Sequence, residues 1–152
     1  MAHDYRSLAE TVYSIFERGA VDELTTVFAA DYIDHDELPG TTAKNLDLVR
    51  EWVQMSRSSM PDARYTIESV VGSGNEACCR VRLTGTHQGE MFGIPPTGNK
   101  IDILLMDWVR LTPTGQVAEH WGTMEESKLL AQLGVTAPQT IDLTTPATVL
   151  TT

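Results

Sequence analysis

The chain has little positive charge and no long apolar run, and both absences limit what it can do. It contains 11 Lys and Arg residues against 21 Asp and Glu residues, which gives a formal net charge of −10. Nucleic acids and anionic membranes bind cationic surfaces, so this balance argues against both as partners. No segment is long and apolar enough to span a bilayer, and no cleavable signal is recognisable. We therefore expect a cytoplasmic protein.

Cysteine is also scarce. The two cysteines, Cys78 and Cys79, are adjacent, so in a strand they point to opposite faces and are poorly placed to bridge each other. Neither has the spacing of a metal ligand, which predicts two reduced structural thiols. The length of 152 residues suits a single domain. We expect that domain to cover residues 1–135, with a Thr- and Pro-rich tail over 136–152.

The hydrophobic period changes from near 3.6 to near 2 after Pro61. Helical spacing and capping residues predict helices that end at Gly19, cover Val21–Phe28, follow Asn45 and cover Ser127–Leu133, while alternation predicts strands over Arg64–Val71, Glu76–Thr86, Lys100–Leu111 and Val117–Thr123. Helices followed by a run of strands indicate an α+β fold. The mixed polar and apolar strands favour a curved, mostly antiparallel sheet with N-terminal helices on one face and a concavity between them.

One carboxylate lies inside an apolar strand. Asp107 stands in the run ILLMDWV, and a buried charge needs a partner. A turn at Thr112–Gly115 would place Asp107 opposite His120 and Leu105 opposite Gly122, with the paired side chains about 5 Å apart on one face. The count predicts an Asp107–His120 pair. The pair is either a structural hydrogen bond between two half-buried groups or a proton-transfer unit.

Several short motifs together resemble the SnoaL-like polyketide (ester) cyclases. They are GTHQG at 85–89, GIPPTG at 93–98, EHW at 119–121, LLAQLG at 129–134, DYIDH at 31–35 and Pro39-Gly40. The resemblance implies the cone-shaped α+β barrel of the nuclear-transport-factor-like superfold, as a homodimer or homotetramer. It also implies an intramolecular aldol reaction that closes the last ring of an anthracycline aglycone without a cofactor.

The chain departs from this family at two neighbouring positions. The family's acid/base aspartate, two residues after the histidine of the last strand, is Gly122 here, and a pocket position that is usually histidine, three residues before Arg110, is Asp107. An aspartate is missing at one position and present at the other. Because an apolar environment raises the basicity of a carboxylate, we expect Asp107 and His120 to be the catalytic residues.

Other residues are expected to contact the substrate. Three of them also have a structural interpretation. His35 fits a solvated acidic loop, and His87 fits a structural turn. Trp108 fits a core residue as an alternative to a platform for a flat aromatic ligand. The predicted substrate-binding residues are Tyr32, Asp34, His35, His87, Leu105, Trp108 and Gly122.

Four functions compete. The first is a cofactor-free acid/base enzyme on a small, hydrophobic, polyketide-like carbonyl compound. The second is epoxide opening or hydration, with Asp34 as a second carboxylate. The third is a metal site of His35, His120 and Asp107, but the spacing gives it no specific support, so we expect no metal. The fourth is a small-molecule binding module, which the loss of the family aspartate at Gly122 favours.

Overall fold

The structure is a computed structural model that describes residues 3–38 and 40–135, so the predicted tail at 136–152 lies outside the described residues. Its helices are α1 (Tyr5–Arg18), a 3-10 turn (Val21–Glu23), α2 (Leu24–Val27), α3 (Leu46–Ser59) and α4 (Glu126–Gln132). Its strands are β1 (Phe28–Asp34), β2 (Arg64–Ser73), β3 (Glu76–Thr86), β4 (Lys100–Leu111) and β5 (Val117–Met124). The predicted α+β fold is confirmed. None of the described helices is both long and apolar enough to cross a membrane.

Polar caps fix the ends of the two long helices. The side chain of Asp4 accepts a hydrogen bond from the Ser7 amide at the start of α1, and Gly19 ends this helix in the left-handed conformation, with φ of 69°. At α3, the side chain of Asn45 accepts from the Asp47 amide. These caps leave the apolar faces of both helices free to pack on the sheet.

The sheet is five-stranded, in the order β1-β5-β4-β3-β2. Its neighbours pair antiparallel except β1, which runs parallel to β5. Helix α1 packs against β2 and α3. The buried apolar core lies between the helices and the concave face of the sheet, where Val81, Ile103 and Leu105 are at most 6 % exposed.

The predicted β4–β5 register is wrong by two residues. Asp107 lies opposite Gly122, and His120 lies opposite Val109. The turn closes with the Thr112 amide donating to the Gln116 carbonyl, one residue wider than expected, and a bulge beside Arg110 adds a second shift. Because side chains alternate with a period of two, the two shifts cancel. Asp107 and His120 therefore stay on the same face as diagonal neighbours.

Candidate active site

A cavity of about 480 Å³ lies between the concave face of the sheet and the helices. Its walls are mostly apolar, and no Lys or Arg lines it within the described part of the chain. A volume of this size is typical of small-molecule sites. The polar side chains that line it include Tyr13, Tyr32, Asp34, Asp36, Asp107 and His120.

Five of these side chains form one hydrogen-bonded chain with His120 at its centre. The Nε2 atom of His120 is 3.0 Å from Oδ1 of Asp107, and its Nδ1 atom is 3.2 Å from Oδ1 of Asp34. The hydroxyl of Tyr13 donates to Oδ2 of Asp107, and the hydroxyl of Tyr32 donates to Oδ2 of Asp34 at 2.6 Å. The arrangement is Tyr–Asp–His–Asp–Tyr.

His120 carries a positive charge in this setting. Burial by itself lowers the pKa of His120, but hydrogen bonds and charges from Asp107 and Asp34 outweigh it and raise the pKa to about 10. The ring is therefore an imidazolium at neutral pH, and both of its N–H groups donate. Burial acts to raise the pKa of Asp34, but its bonds to His120 and Tyr32 prevail and lower it.

The two tyrosines act as fixed donors. Burial raises the pKa of the Tyr13 phenol well above its ordinary value, and the charge of Asp107 adds to the effect. The pKa of Tyr32 is raised in the same way by burial and by Asp34. Both phenols therefore stay protonated, and each carboxylate receives one bond from a phenol and one from the imidazolium.

Three strands and one helix contribute the side chains of this hydrogen-bonded network. Asp34 ends β1, and the parallel pairing of β1 with β5 sets it beside His120. Asp107 comes from β4, on the other side of β5. Tyr13 comes from the buried face of α1. The network therefore depends on the tertiary fold and not on a local motif.

Gly122 lies where three polar groups meet. Its amide donates to Oδ1 of Asp36 at 2.7 Å, and the other oxygen of Asp36 is 3.6 Å from Nδ1 of His120. A Cβ atom at Gly122 would lie 2.5 Å from Asp36 Oδ2, 2.9 Å from His120 Cε1 and 3.1 Å from Asp107 Oδ1. A side chain at this position would therefore displace the carboxylate of Asp36 and press on the imidazolium.

The predicted site residues fall into two groups. Tyr32, Asp34, Leu105 and Gly122 line the cavity together with Asp107 and His120. His35, His87 and Trp108 lie elsewhere.

Each of these three residues has a clear structural reason for its place. Trp108 is 47 % exposed on the outer face, because it follows Asp107 in a strand. His35 stacks on Trp121 at a centroid distance of 4.4 Å and places Nε2 3.1 Å from Oε2 of Glu119. His87 is fully buried, with Nδ1 3.0 Å from Oγ1 of Thr97. None of the three lines the large cavity, which differs from the placement expected from the sequence.

Sequence reasoning missed Tyr13 and Asp36. Tyr13 lies on the apolar face of an amphipathic helix, where the sequence offers no sign that its hydroxyl reaches a carboxylate. Asp36 had a visible signal, because it alternates with Asp34 in the segment Asp34-His35-Asp36, and alternate residues of an extended segment share a face.

One group of side chains among the described residues has the geometry to surround a cation. Ligand atoms of Asp34, Asp36 and His120 lie within 4.8 Å of one another. A cation bound there would have to displace the proton that His120 shares with Asp34, because a histidine binds a metal through a deprotonated nitrogen. The alternative set of His35, His120 and Asp107 is not assembled, because His35 lies on the outer face.

A sequence profile of the SnoaL-like polyketide cyclases matches residues 6–133. The chain belongs to this family. No curated protein sequence matches it.

Solved structures with the same fold agree with the family assignment. TsrD from Streptomyces laurentii superimposes with a TM-score of 0.78 at 24% identity, covering 86% of this chain and 95% of its own. IdmH from Streptomyces antibioticus, a candidate polyketide cyclase, gives a TM-score of 0.73 at 26% identity over 88% of this chain and 100% of its own. AclR from Streptomyces galilaeus, a candidate hydroxylase, gives 0.76 at 23% identity over 88% of this chain and 87% of its own.

Proposed function

We propose that this SnoaL-like protein is a cofactor-independent acid/base enzyme that closes a ring in a polyketide-like carbonyl compound by an intramolecular aldol reaction. The observation that carries the proposal is the position of the His120 ring between Asp107 and Asp34 in a largely apolar cavity of about 480 Å³, where the two carboxylates raise the pKa of the ring. A charged donor and a carboxylate base side by side are what enolisation next to a carbonyl requires.

The proton movements follow from the positions of the two groups. Asp107 removes a proton from the carbon next to a carbonyl, which leaves an enolate and a neutral carboxyl group. As Asp107 becomes neutral, the Nε2–H of His120 is released from it and donates to the enolate oxygen, on which the negative charge develops. The enolate carbon then attacks the second carbonyl, and the new alkoxide takes the proton from Asp107. Asp34 keeps its negative charge throughout and holds the imidazolium in its charged form.

The missing family aspartate has a replacement on the facing strand. The resemblance places the acid/base carboxylate at position 122, and Asp107 stands directly opposite that position. Its Oδ1 atom would be 3.1 Å from a Cβ at Gly122. We infer that this chain delivers the carboxylate to the same part of the cavity from β4 instead of β5.

A second function has one observation in its favour. Asp34 and Asp107 both line the cavity and flank one imidazolium, so two carboxylates are available to activate water for epoxide opening or hydration. The aldol proposal differs from it in needing only Asp107 as the base. A non-catalytic binding module would use the same apolar cavity without either step.

Further proposals concern the protein as a whole. We propose one domain over residues 1–135, assembly as a homodimer or homotetramer, and a cytoplasmic location. The substrate we propose is a small, hydrophobic compound, in keeping with the apolar walls of the cavity.

The variant Asp107→Asn tests the catalytic assignment. Purified protein is incubated with an anthraquinone-type keto ester, and the cyclised product is quantified by chromatography. We expect turnover to fall by about a hundredfold or more while binding persists, because an amide cannot accept the proton. Asp102→Asn is the matched control, since Asp102 lies on the outer face of the same strand in an ion pair with Arg82 at 2.8 Å.

Turnover by Asp107→Asn within about threefold of the natural protein, less than 1 kcal/mol of barrier, would show that the assignment is wrong. Binding of the ester without turnover by the natural protein would instead favour a binding module.

A further inference from the structure

A tight turn in the loop that joins β3 to β4 holds an aromatic residue in an unusual backbone conformation. Met91 and Ile94 exchange backbone hydrogen bonds of 3.1 and 2.9 Å, and between them Phe92 has φ of 51° and Gly93 has φ of 78°. Two central residues of positive φ indicate a type I′ turn. Within the described part of the chain, Phe92 is the one non-glycine residue with positive φ.

Phenylalanine is a poor residue for this place. The first central position of a type I′ turn is usually Asn, Asp or Gly, because a Cβ atom clashes with the backbone in the left-handed region. The backbone on either side of Phe92, which we call the frame, is nevertheless held in place. Met91 is only 3 % exposed, and the amides of Gln88 and Gly89 both donate to the carbonyl of Ser59. A strained residue held by such a frame suggests that its side chain has a role.

The side chain of Phe92 lies in a wall between two cavities. It lines the large cavity of the candidate active site, and it also lines a second, apolar cavity of about 10 Å³. Two other residues, Trp52 and Leu129, line both cavities. The small cavity has room for about one water molecule, so the wall closes the large cavity on this side.

We propose that Phe92 is a specificity-determining residue that limits the size of the ligand in the large cavity. The left-handed backbone holds the residue where its ring forms part of the wall. Removal of the ring joins the two cavities. The enlarged cavity then admits a flat, neutral, polycyclic compound one ring longer than the longest that the natural protein binds well. The inference rests on the proposed function, since it takes this cavity to be the substrate site.

Binding measurements separate this inference from the catalytic proposal. The probes are naphthacenequinone, with four fused rings like the product of ring closure in an anthraquinone-type ester, and pentacenequinone, with five, and their affinities are read from quenching of tryptophan fluorescence. We expect the natural protein to prefer naphthacenequinone by about tenfold, and Phe92→Ala to lose or reverse that preference.

Phe16→Ala is the matched control. Phe16 is also partly buried and lines the large cavity, but it does not line the small one. We expect this variant to keep the preference for the shorter compound. Phe92→Leu, which keeps apolar packing but lacks the ring, should shift the preference partway, and it preserves the test if the alanine variant does not fold.

Two results would overturn the inference. The first is a ratio of affinities within about twofold of the natural value in both Phe92→Ala and Phe92→Leu. The second is an equal change of the ratio in Phe16→Ala. These experiments measure binding and not turnover. A shifted ratio together with full turnover by Asp107→Asn would therefore contradict the catalytic proposal and leave the role of Phe92 intact.

The backbone part of the inference has its own test. Glycine normally lowers stability relative to alanine, because it has more freedom in the unfolded chain. At a φ of 51° the order should reverse, so Phe92→Gly should unfold at a higher temperature than Phe92→Ala. An alanine variant at least as stable as the glycine variant would contradict a left-handed backbone imposed by the frame.

Discussion

Asp107 and Gly122 face each other across β4 and β5, and the carboxylate of one approaches the place where a side chain of the other would begin. A Cβ atom at Gly122 would lie 3.1 Å from Oδ1 of Asp107 and 2.5 Å from Oδ2 of Asp36. The glycine and the two carboxylates are therefore one structural unit. Asp107 can occupy the cavity because position 122 carries no side chain.

Gly122→Ala should damage the site more than the fold. The added methyl group would displace Asp36 and press on the ring of His120, so we expect turnover to fall by about tenfold, about 1.4 kcal/mol of barrier. The double variant Gly122→Ala/Asp36→Ser shortens the displaced side chain and should recover part of the rate. Steady-state kinetics and thermal unfolding of both variants check this. An alanine variant with an unchanged rate would show that the close packing at this position has no part in turnover.

Tyr13 should act as a positioning residue for Asp107. Its hydroxyl donates to Oδ2 of Asp107, so Tyr13→Phe frees that oxygen to rotate. We expect kcat to fall by about tenfold with little change in KM, because substrate contacts remain.

Tyr65→Phe is the control for this prediction. Tyr65 is also buried, stacks on Tyr13 at a centroid distance of 5.5 Å, and has its hydroxyl 2.9 Å from Oγ of Ser56. Tyr65→Phe loses a neutral hydrogen bond worth about 1 kcal/mol of stability. Tyr13→Phe loses a bond to a carboxylate worth about 2 kcal/mol and a contact of 3.4 Å with Sγ of Cys79. Only the Tyr13 variant should lower kcat. An equal loss of kcat in both variants would assign Tyr13 a structural role only.

Stability should decline in mildly alkaline solution. The pKa of His120 is raised from 6.5 to about 10 in the folded protein. Its contribution is complete below the unfolded value and is lost as the pH rises through the folded value, with a slope approaching about 1.4 kcal/mol per pH unit between them. Urea unfolding at several pH values in this window measures the slope. His120→Gln should lack it, and an identical slope in that variant would place its origin elsewhere.

The same network should weaken in acid for a different reason. The pKa of Asp34 is lowered from 3.8 in the folded protein. Its contribution is therefore present above the unfolded value and is lost as the pH falls through the lower folded value. Asp34→Asn should reduce the acid sensitivity of the unfolding free energy, measured over the same urea series.

The helices, the strands of the large hairpins and the fold class could be predicted from the sequence, because periodicity and capping residues are local signals. The β4–β5 register could not be predicted, because the bulge beside Arg110 has no marker in the sequence. The Asp107–His120 contact was nevertheless predicted, since two one-residue shifts cancel and restore the face. Trp108 could have been placed correctly by alternation alone, because it follows Asp107 in the same strand.

The rest of the site depends on contacts between distant parts of the chain. Asp34 meets His120 only because β1 runs parallel to β5, and a short strand in an acidic segment does not reveal its partner. Tyr13 reaches Asp107 from a helix that lies 94 residues away in sequence. Both contacts come from how the helices pack on a curved sheet, which no local pattern specifies.

The protonation state of His120 tests the central claim most directly. Nitrogen-15 NMR of the imidazole in the natural protein and in Asp107→Asn gives the charge of the ring as a function of pH. We predict a ring protonated on both nitrogens at about pH 8, and a titration midpoint that falls when Asp107 loses its charge. A neutral ring at that pH, with a midpoint near the ordinary value of 6.5 in both proteins, would contradict the account.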